Sequence, residues 1–171
     1  MTPDFDTRLK SISSAMENII IPAIAADDNM ALQQAGLIIK HIAIMRDQLP
    51  YLQAFESLCL QDMEILAQQI LAAPSIGYVR HQSDALDVAL RSSQPTTQDR
   101  YISIGRAIED IVAAAATGQL FDEIAEPVLG FGERQTMRER IWFAGTGFDP
   151  DTKSLPSIGA AISTQFAGNG A

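Results

Sequence analysis

Hydrophobic residues recur along this chain at the spacing of amphipathic α-helices, and proline or glycine interrupts the pattern between them. The first such stretch follows Thr2-Pro3-Asp4, which is typical of a helix start. Its apolar residues fall on one stripe: Phe5, Leu9, Ile12, Met16, Ile19 and Ile20. Pro22 lacks an amide hydrogen, so we expect this helix to end or kink there.

Two long apolar stretches on either side of Pro50 predict a pair of helices, Asn29–Leu49 and Tyr51–Ala73, that turn back on each other as a hairpin. The first of them is apolar on more than one face. Leu37 and Ile44 lie together on the side opposite its main stripe. We therefore predict an interface at Leu37 and Ile44, covered either by the C-terminal arm or by another subunit.

The remaining pattern predicts shorter elements and an all-α fold. A short helix is expected at Ser83–Arg91, and Thr96-x-x-Asp99 resembles a capping box before a longer helix. Later elements are a short helix ending near Pro127, a flexible joint at Gly130–Gly132 and a last helix at Glu133–Phe143. The fold class is therefore a helical bundle of four to five main helices with a short extra helix and an irregular C-terminal arm. We expect the bundle domain at 1–145 and the Gly-, Ala- and Ser-rich arm at 146–171, with a docking turn near Ile158–Ile162.

The amino-acid composition and net charge argue against several classes of function. Hydrophobic residues make up 47% of the 171 residues and charged residues 19%, which is typical of a folded domain. The net charge of −9 argues against a nucleic-acid partner, because binding the phosphate backbone needs clustered basic residues. The acidic N-terminus does not resemble a signal peptide, and no apolar run has membrane length. With a single cysteine, Cys59, these features predict a cytoplasmic protein without a membrane partner.

The usual signatures of catalytic and cofactor sites are missing. Neither His41 nor His81 is preceded by the glutamate of a Glu-x-x-His motif, and Gly130-Phe131-Gly132 lacks the third glycine of a dinucleotide fingerprint. Cys59 lies on an apolar stripe, where a buried thiol is usually inert. We therefore predict no catalytic residue, no metal and no cofactor. His41 is either a surface or interface histidine or an acid–base group.

Charged residues near the apolar stripes are the candidate ligand-binding groups. Arg46 lies within the main apolar stripe of its helix, where a buried charge is costly unless it is paired. We expect Arg46 to form an ion pair with Glu56, and Asp62 is the second candidate partner. The pair either stabilises the fold or lines a pocket between helices. Arg134, Arg138 and Trp142 share a helix face, being four residues apart. Three interpretations are open. The two arginines and the tryptophan bind a phosphate or carboxylate ligand, or they contact an acidic protein partner. In the third, the arginines lie on a solvated helix and Trp142 belongs to the core.

A resemblance adds a possible context. The run Ile19–Ile24, with proline at position 22, and the apolar segment Gly36–His41 resemble small all-helical bacterial proteins of unknown function. Some of these are encoded near phosphotransferase-like and acyl-CoA dehydrogenase-like proteins. The resemblance covers about the first third of the chain and implies an accessory role beside a larger enzyme.

Two functional hypotheses follow. The first is a non-catalytic accessory or interaction protein that self-associates as a homodimer, the commonest oligomer, and acts beside a larger enzyme. The second is a small enzyme or ligand-binding protein with a pocket between helices for an anionic molecule such as a carboxylate, a phosphate or an acyl-CoA-like compound.

Overall fold

The computed structural model describes residues 4–116 and 118–168, and for 165–168 only the backbone. Within these residues the regular secondary structure is helical and contains no strand, so the predicted all-α class is confirmed. Helix α1 (Phe5–Ala15) continues through a π-helical turn at Met16–Ile20 into a short turn at Ile21–Ala23. The predicted start at Thr2 and Pro3 and the last residues of the predicted arm, 169–171, lie outside the described residues.

The other helices follow in chain order, with 3₁₀ turns between some of them. They are α2 (Asn29–Gln48), α3 (Leu52–Leu71), α4 (Arg80–Arg91), α5 (Thr97–Ala114), α6 (Gln119–Trp142) and α7 (Ile158–Gly168). The 3₁₀ turns lie at Leu49–Tyr51, Ile76–Val79, Ala144–Thr146 and Thr152–Ser154. Among the described helices, none is both long and apolar enough to cross a membrane.

The contacts between residues divide the chain into two compact units. The first unit contains residues 1–52 and 140–171, and the second contains residues 53–139. The expected boundary between a domain at 1–145 and an arm at 146–171 stays a prediction.

The second unit has a large buried core. In it α4 packs against α5, and side chains of α3 and α6 complete the apolar interior. The buried members are Met63, Leu66, Ala67, Ile70, Ala73, Leu86, Ala89, Ile104, Ala107, Ile108, Ile111, Ala115, Leu120 and Ile124.

The first unit buries less of its apolar surface. There α1 and its π-helical turn contact α2, the turn Ala144–Thr146 also contacts α2, and α7 contacts the turn Leu49–Tyr51. The spacing of apolar residues correctly predicted that this segment is a helix, but no side chain of α1 is buried. Apolar periodicity thus locates the helix, while much of its apolar face stays in contact with solvent.

The two helices predicted on either side of Pro50 are present as α2 and α3, with ends that differ from the predicted ones by a few residues. That they turn back on each other as a hairpin stays a prediction. Asp28 caps α2, because its Oδ1 accepts a hydrogen bond from the amide of Ala31 at 3.0 Å. Thr96 caps α5 in the same way, with its Oγ1 accepting from the amide of Asp99 at 3.0 Å. The capping pattern read at Thr96 is therefore confirmed.

The predicted break near Pro127 and Gly130–Gly132 is wrong, since α6 runs unbroken from Gln119 to Trp142. A proline inside a helix costs about 3 kcal/mol or more. Leu120 and Ile124 are buried in the core, and Val128 and Phe131 pack against it at helical spacing on both sides of the proline. Burying this stripe favours the continuous helix over the break that proline and glycine alone would predict.

The C-terminal arm is more regular than expected. Helix α7 begins at the residue where the docking turn was predicted, Ile158, and continues to Gly168. The amide of Ala160 donates to Ser157 Oγ at 3.3 Å, which satisfies one free donor of the first turn. Ile162 of this helix is buried.

Gly132 offers a direct test of the unbroken α6. A Cβ at this exposed position would meet no other atom within 4 Å. We expect Gly132→Ala to raise the free energy of unfolding by about 0.5–1 kcal/mol, because alanine loses less backbone entropy in a helix. Chemical denaturation measures the change. As a control, Gly147→Ala should be destabilising, because Gly147 has a φ of +76° that favours glycine. Destabilisation by Gly132→Ala would argue that α6 is broken at this joint.

Candidate functional site

Charged side chains in the second unit form a group that we call the Asp62 cluster. Arg134 Nη2 donates to Asp62 Oδ1 at 2.8 Å, and Arg134 Nε lies 3.1 Å from both carboxylate oxygens. Arg138 Nη2 donates to Asp62 Oδ2, and its Nη1 donates to Gln135 Oε1 at 2.7 Å. The two arginines are one helical turn apart on α6, so both reach the same carboxylate on α3.

The cluster is partly withdrawn from water. Arg138 is only 7% exposed, and among the described residues its Nε has no hydrogen-bond partner. Burial alone would raise the pKa of Asp62, but the hydrogen bonds and charges of Arg134 and Arg138 outweigh it and hold that pKa below its ordinary value. Asp62 is therefore ionised at neutral pH. Its carboxylate binds both arginines, which were predicted as an anion-binding pair, and offsets one of their two positive charges.

Two titratable groups border the cluster. Burial raises the pKa of the Cys59 thiol, and the nearby Arg138 and Gln135 offset only part of that effect. Burial also raises the pKa of Tyr101, and the neighbouring Cys59 and Glu139 add to the increase. Both groups are thus protonated at neutral pH, and the Cys59 thiol lacks the thiolate character of a catalytic nucleophile.

A groove of about 690 Å³ also lies in the second unit. Its walls are largely apolar, and Tyr101, which borders the Asp62 cluster, is one of its lining residues. Arg106 and Glu109 bring opposite charges to the same groove. The groove therefore has no net charge that would select an anion over a cation.

A smaller pocket of about 330 Å³ lies within the first unit, and we call it the Trp142 pocket. The predicted residues Trp142 and Ile44 both line it, together with Tyr51 and Asp47. Gln48 Nε2 donates to the backbone carbonyl of Trp142 at 2.8 Å and so fixes the end of α6 within this unit. Trp142 is thus buried, and it belongs to the first unit, whereas Arg134 and Arg138 belong to the second.

Arg46 forms an ion pair with a residue other than the one predicted. Its Nε donates to Asp6 Oδ1 at 2.7 Å, so the predicted pair with Glu56 is wrong. The cause is the packing of α1 on α2, which brings Asp6 within reach of Arg46. Glu56 is half-buried on α3 in the second unit. The second candidate partner, Asp62, binds Arg134 and Arg138 instead.

The predicted interface residues have different surroundings. Leu37 is exposed on α2, as is His41 one turn later. Ile44 is half-buried, and a Cβ at Gly145 would lie 3.1 Å from its Cγ1. The turn Ala144–Thr146 therefore packs against Ile44, whereas Leu37 stays exposed.

Sequence reasoning missed polar contacts between distant segments. Arg100 Nε donates to Glu64 Oε1 at 2.7 Å, and its Nη2 donates to the carbonyl oxygen of Leu90 at 2.7 Å. Both carboxylate oxygens of Glu123 accept bonds of 2.8 Å from Ser75, one from its amide and one from its hydroxyl. Neither link is marked by a local motif, because each joins residues that are far apart in the chain.

Among the residues that the structure describes, there is no group of three or more His, Cys, Asp or Glu side chains that could hold a metal ion. The Asp62 cluster has basic rather than acidic partners around its carboxylate, an arrangement that repels a cation.

Comparison with known proteins adds no relative. No protein-family model, curated protein or solved structure matches the chain. The resemblance to small all-helical bacterial proteins of unknown function therefore stays a prediction.

Proposed function

We propose that this chain is a non-catalytic interaction protein that forms a homodimer through the first unit. The observation that supports the proposal is a row of exposed apolar side chains on α2, which we call the α2 stripe. Its members are Met30, Leu37, Ile38 and Met45 on α2 and Leu49 at the start of the 3₁₀ turn that follows. Apolar side chains grouped in this way on a surface often mark a site of protein association.

The members of the α2 stripe lie on one side of the helix. At about 100° per residue they share a wide arc with the exposed polar residues Gln34 and His41, beside the face that contains the buried Ala35 and Ile42. Exposed apolar residues continue on the preceding segment, where Phe5 is 68% and Ile19 65% exposed. Because α1 and its π-helical turn contact α2, these exposed side chains belong to segments that pack directly on the helix with the stripe.

A second copy of the chain is the partner that suits this surface. The chain carries a net charge of −9, so most surfaces would repel their own copy. The α2 stripe contains no charged residue, and a two-fold axis places each of its residues opposite the same surface on the partner. Self-association through it therefore avoids like-charge repulsion.

A larger enzyme is the other partner that the resemblance implies, and it would use the same stripe. The anionic-ligand alternative has less support, because Asp62 already occupies both Arg134 and Arg138. We therefore place self-association first and treat the enzyme partner as an outcome that the same experiment distinguishes.

The double substitution Leu37→Glu/Ile38→Glu tests the proposed dimer. It places like charges opposite each other across the two-fold axis, and we expect the dissociation constant to rise at least about tenfold, since close like charges cost several kcal/mol. Analytical ultracentrifugation over a range of protein concentrations measures the change. Both side chains are exposed, so the helical circular dichroism signal should not change.

Val88→Glu is the matched control. Val88 is 66% exposed on α4 in the second unit, and we expect no effect of its substitution on the dissociation constant. A wild-type chain that stays monomeric at every concentration would overturn self-association and favour a different partner. A dimer that persists in the double variant would show that another surface is used.

A further inference from the structure

We propose that the Trp142 pocket binds a small organic cation of the quaternary ammonium class. The proposal concerns a ligand and does not depend on the proposed dimer, because the residues that line the pocket do not include any member of the α2 stripe. It rests on the chemistry of the lining, which combines two aromatic side chains, a single carboxylate and mostly apolar neighbours.

The aromatic side chains are Tyr51 and Trp142. Aromatic faces attract cations through the electron density of their rings, and quaternary ammonium groups are often recognised in this way. The Tyr51 ring is held in place by Gly159, since a Cβ at that glycine would lie 2.6 Å from the tyrosine hydroxyl oxygen. Trp142 is buried, and its carbonyl oxygen is bound by Gln48. Close packing against Gly159 therefore restricts the Tyr51 side chain, and burial restricts that of Trp142.

The charge of the lining favours a cation. Asp47 is the charged residue among the side chains that line the pocket, and the lining contains no lysine, arginine or histidine. The ion pairs of the described chain do not include Asp47, so its negative charge is not offset by a salt bridge there. An anionic ligand would meet this carboxylate without a basic group to balance it.

Size and polarity narrow the class of cation. A volume of about 330 Å³ is near the lower end for small-molecule pockets, so the ligand must be small. A primary ammonium group has three donors that need acceptors, whereas a quaternary ammonium has no N–H donor and its trimethylammonium end presents methyl groups. Ile44, Ile141 and Ile158 provide apolar walls against which such methyl groups would pack.

The single tryptophan of the chain allows a direct measurement. Because Trp142 is the only tryptophan, the intrinsic indole fluorescence comes from this pocket alone. We expect choline and tetramethylammonium to change the emission in a saturable manner at constant ionic strength. The uncharged analogue of choline, with a tert-butyl group in place of trimethylammonium, should bind at least about fivefold more weakly, because it lacks the cation–π and charge attraction.

Substitutions then assign the effect to residues. Asp47→Asn removes the charge with little change in shape, and we expect it to weaken choline binding roughly five- to tenfold. Gly159→Ala should also weaken binding, because the added methyl group meets the Tyr51 hydroxyl and displaces that wall. The control is Asp27→Asn, an exposed carboxylate of the same unit outside the pocket, which should leave binding unchanged.

Three results would overturn the proposal. The first is the absence of any emission change and of any heat of binding in calorimetry with choline and tetramethylammonium. The second is equal binding of choline and its uncharged analogue, which would show an apolar cavity without charge selection. The third is unchanged affinity in the Asp47→Asn variant. Each result leaves the sedimentation test of the dimer unaffected, so the two proposals succeed or fail separately.

Discussion

Asp62→Asn should lower the free energy of unfolding by about 3 kcal/mol, the cost typical of removing one partner from a buried ion pair. Arg138 is almost fully buried, and Asp62 is the carboxylate that binds it. Asparagine keeps the shape and one acceptor but leaves the guanidinium charge without compensation. Urea denaturation monitored by circular dichroism measures the loss, and a melting temperature lowered by several degrees should accompany it.

A double substitution separates the pair interaction from the burial of charge. Asp62→Leu/Arg138→Met replaces both charged groups with apolar ones, and we expect it to be less destabilising than Asp62→Asn alone. Asp87→Asn is the control, since its partner Arg91 is 79% exposed and solvent screens that pair. A small effect of Asp62→Asn, equal to that of Asp87→Asn, would show that the Asp62 cluster does not stabilise the second unit.

The same cluster predicts a dependence on pH with a definite sign. The pKa of Asp62 in the folded chain lies below its ordinary value, so the folded state favours the ionised carboxylate. Its contribution to stability is complete above the unfolded-state pKa and is lost as pH falls through the folded-state pKa. The difference in unfolding free energy between wild type and Asp62→Asn should therefore be constant near neutral pH and shrink below about pH 4.

The arginine cluster shows which part of a site can be predicted from sequence. The spacing of Arg134 and Arg138 correctly places both on one face of a helix, because that relation is local. Asp62 lies 72 residues before Arg134, and no local pattern shows that it accepts bonds from both arginines. Asp62 was a candidate, but as a partner for Arg46, whose actual partner Asp6 lies 40 residues away. Local periodicity identified the charged residues but not how they pair.

The location of the helices in the chain was easier to predict than which of their apolar side chains are buried. The helical spacing of apolar residues predicted α2, α3 and α5, because burying an apolar stripe is the main reason each helix is stable. The same pattern predicted α1 equally well, yet its stripe includes Phe5 and Ile12, which are exposed. The pattern identifies which face of a helix is apolar. What covers that face is decided by contacts with other segments or other molecules.

A cavity-forming substitution in the core of the second unit should be strongly destabilising. Ile104→Ala in the core of the second unit should lower the free energy of unfolding by about 2–5 kcal/mol, the range for deleting a fully buried aliphatic side chain. Ile104 is 0% exposed, and Leu66, Ile70 and Leu86 belong to the same buried cluster. Because that interior is shared by α3, α4 and α5, we expect the loss to affect the second unit as a whole.

Ile102→Ala is the matched control for Ile104→Ala. It makes the same chemical change on the same helix, but Ile102 is 38% exposed and lies outside the buried cluster. Alanine also has the higher helix propensity, which offsets part of the lost contact, so the change should be well below that of Ile104→Ala. Guanidinium denaturation of both variants measures the difference. Equal losses would mean that Ile104 and Ile102 are buried to the same degree, and that the core of the second unit is not arranged as the structure describes.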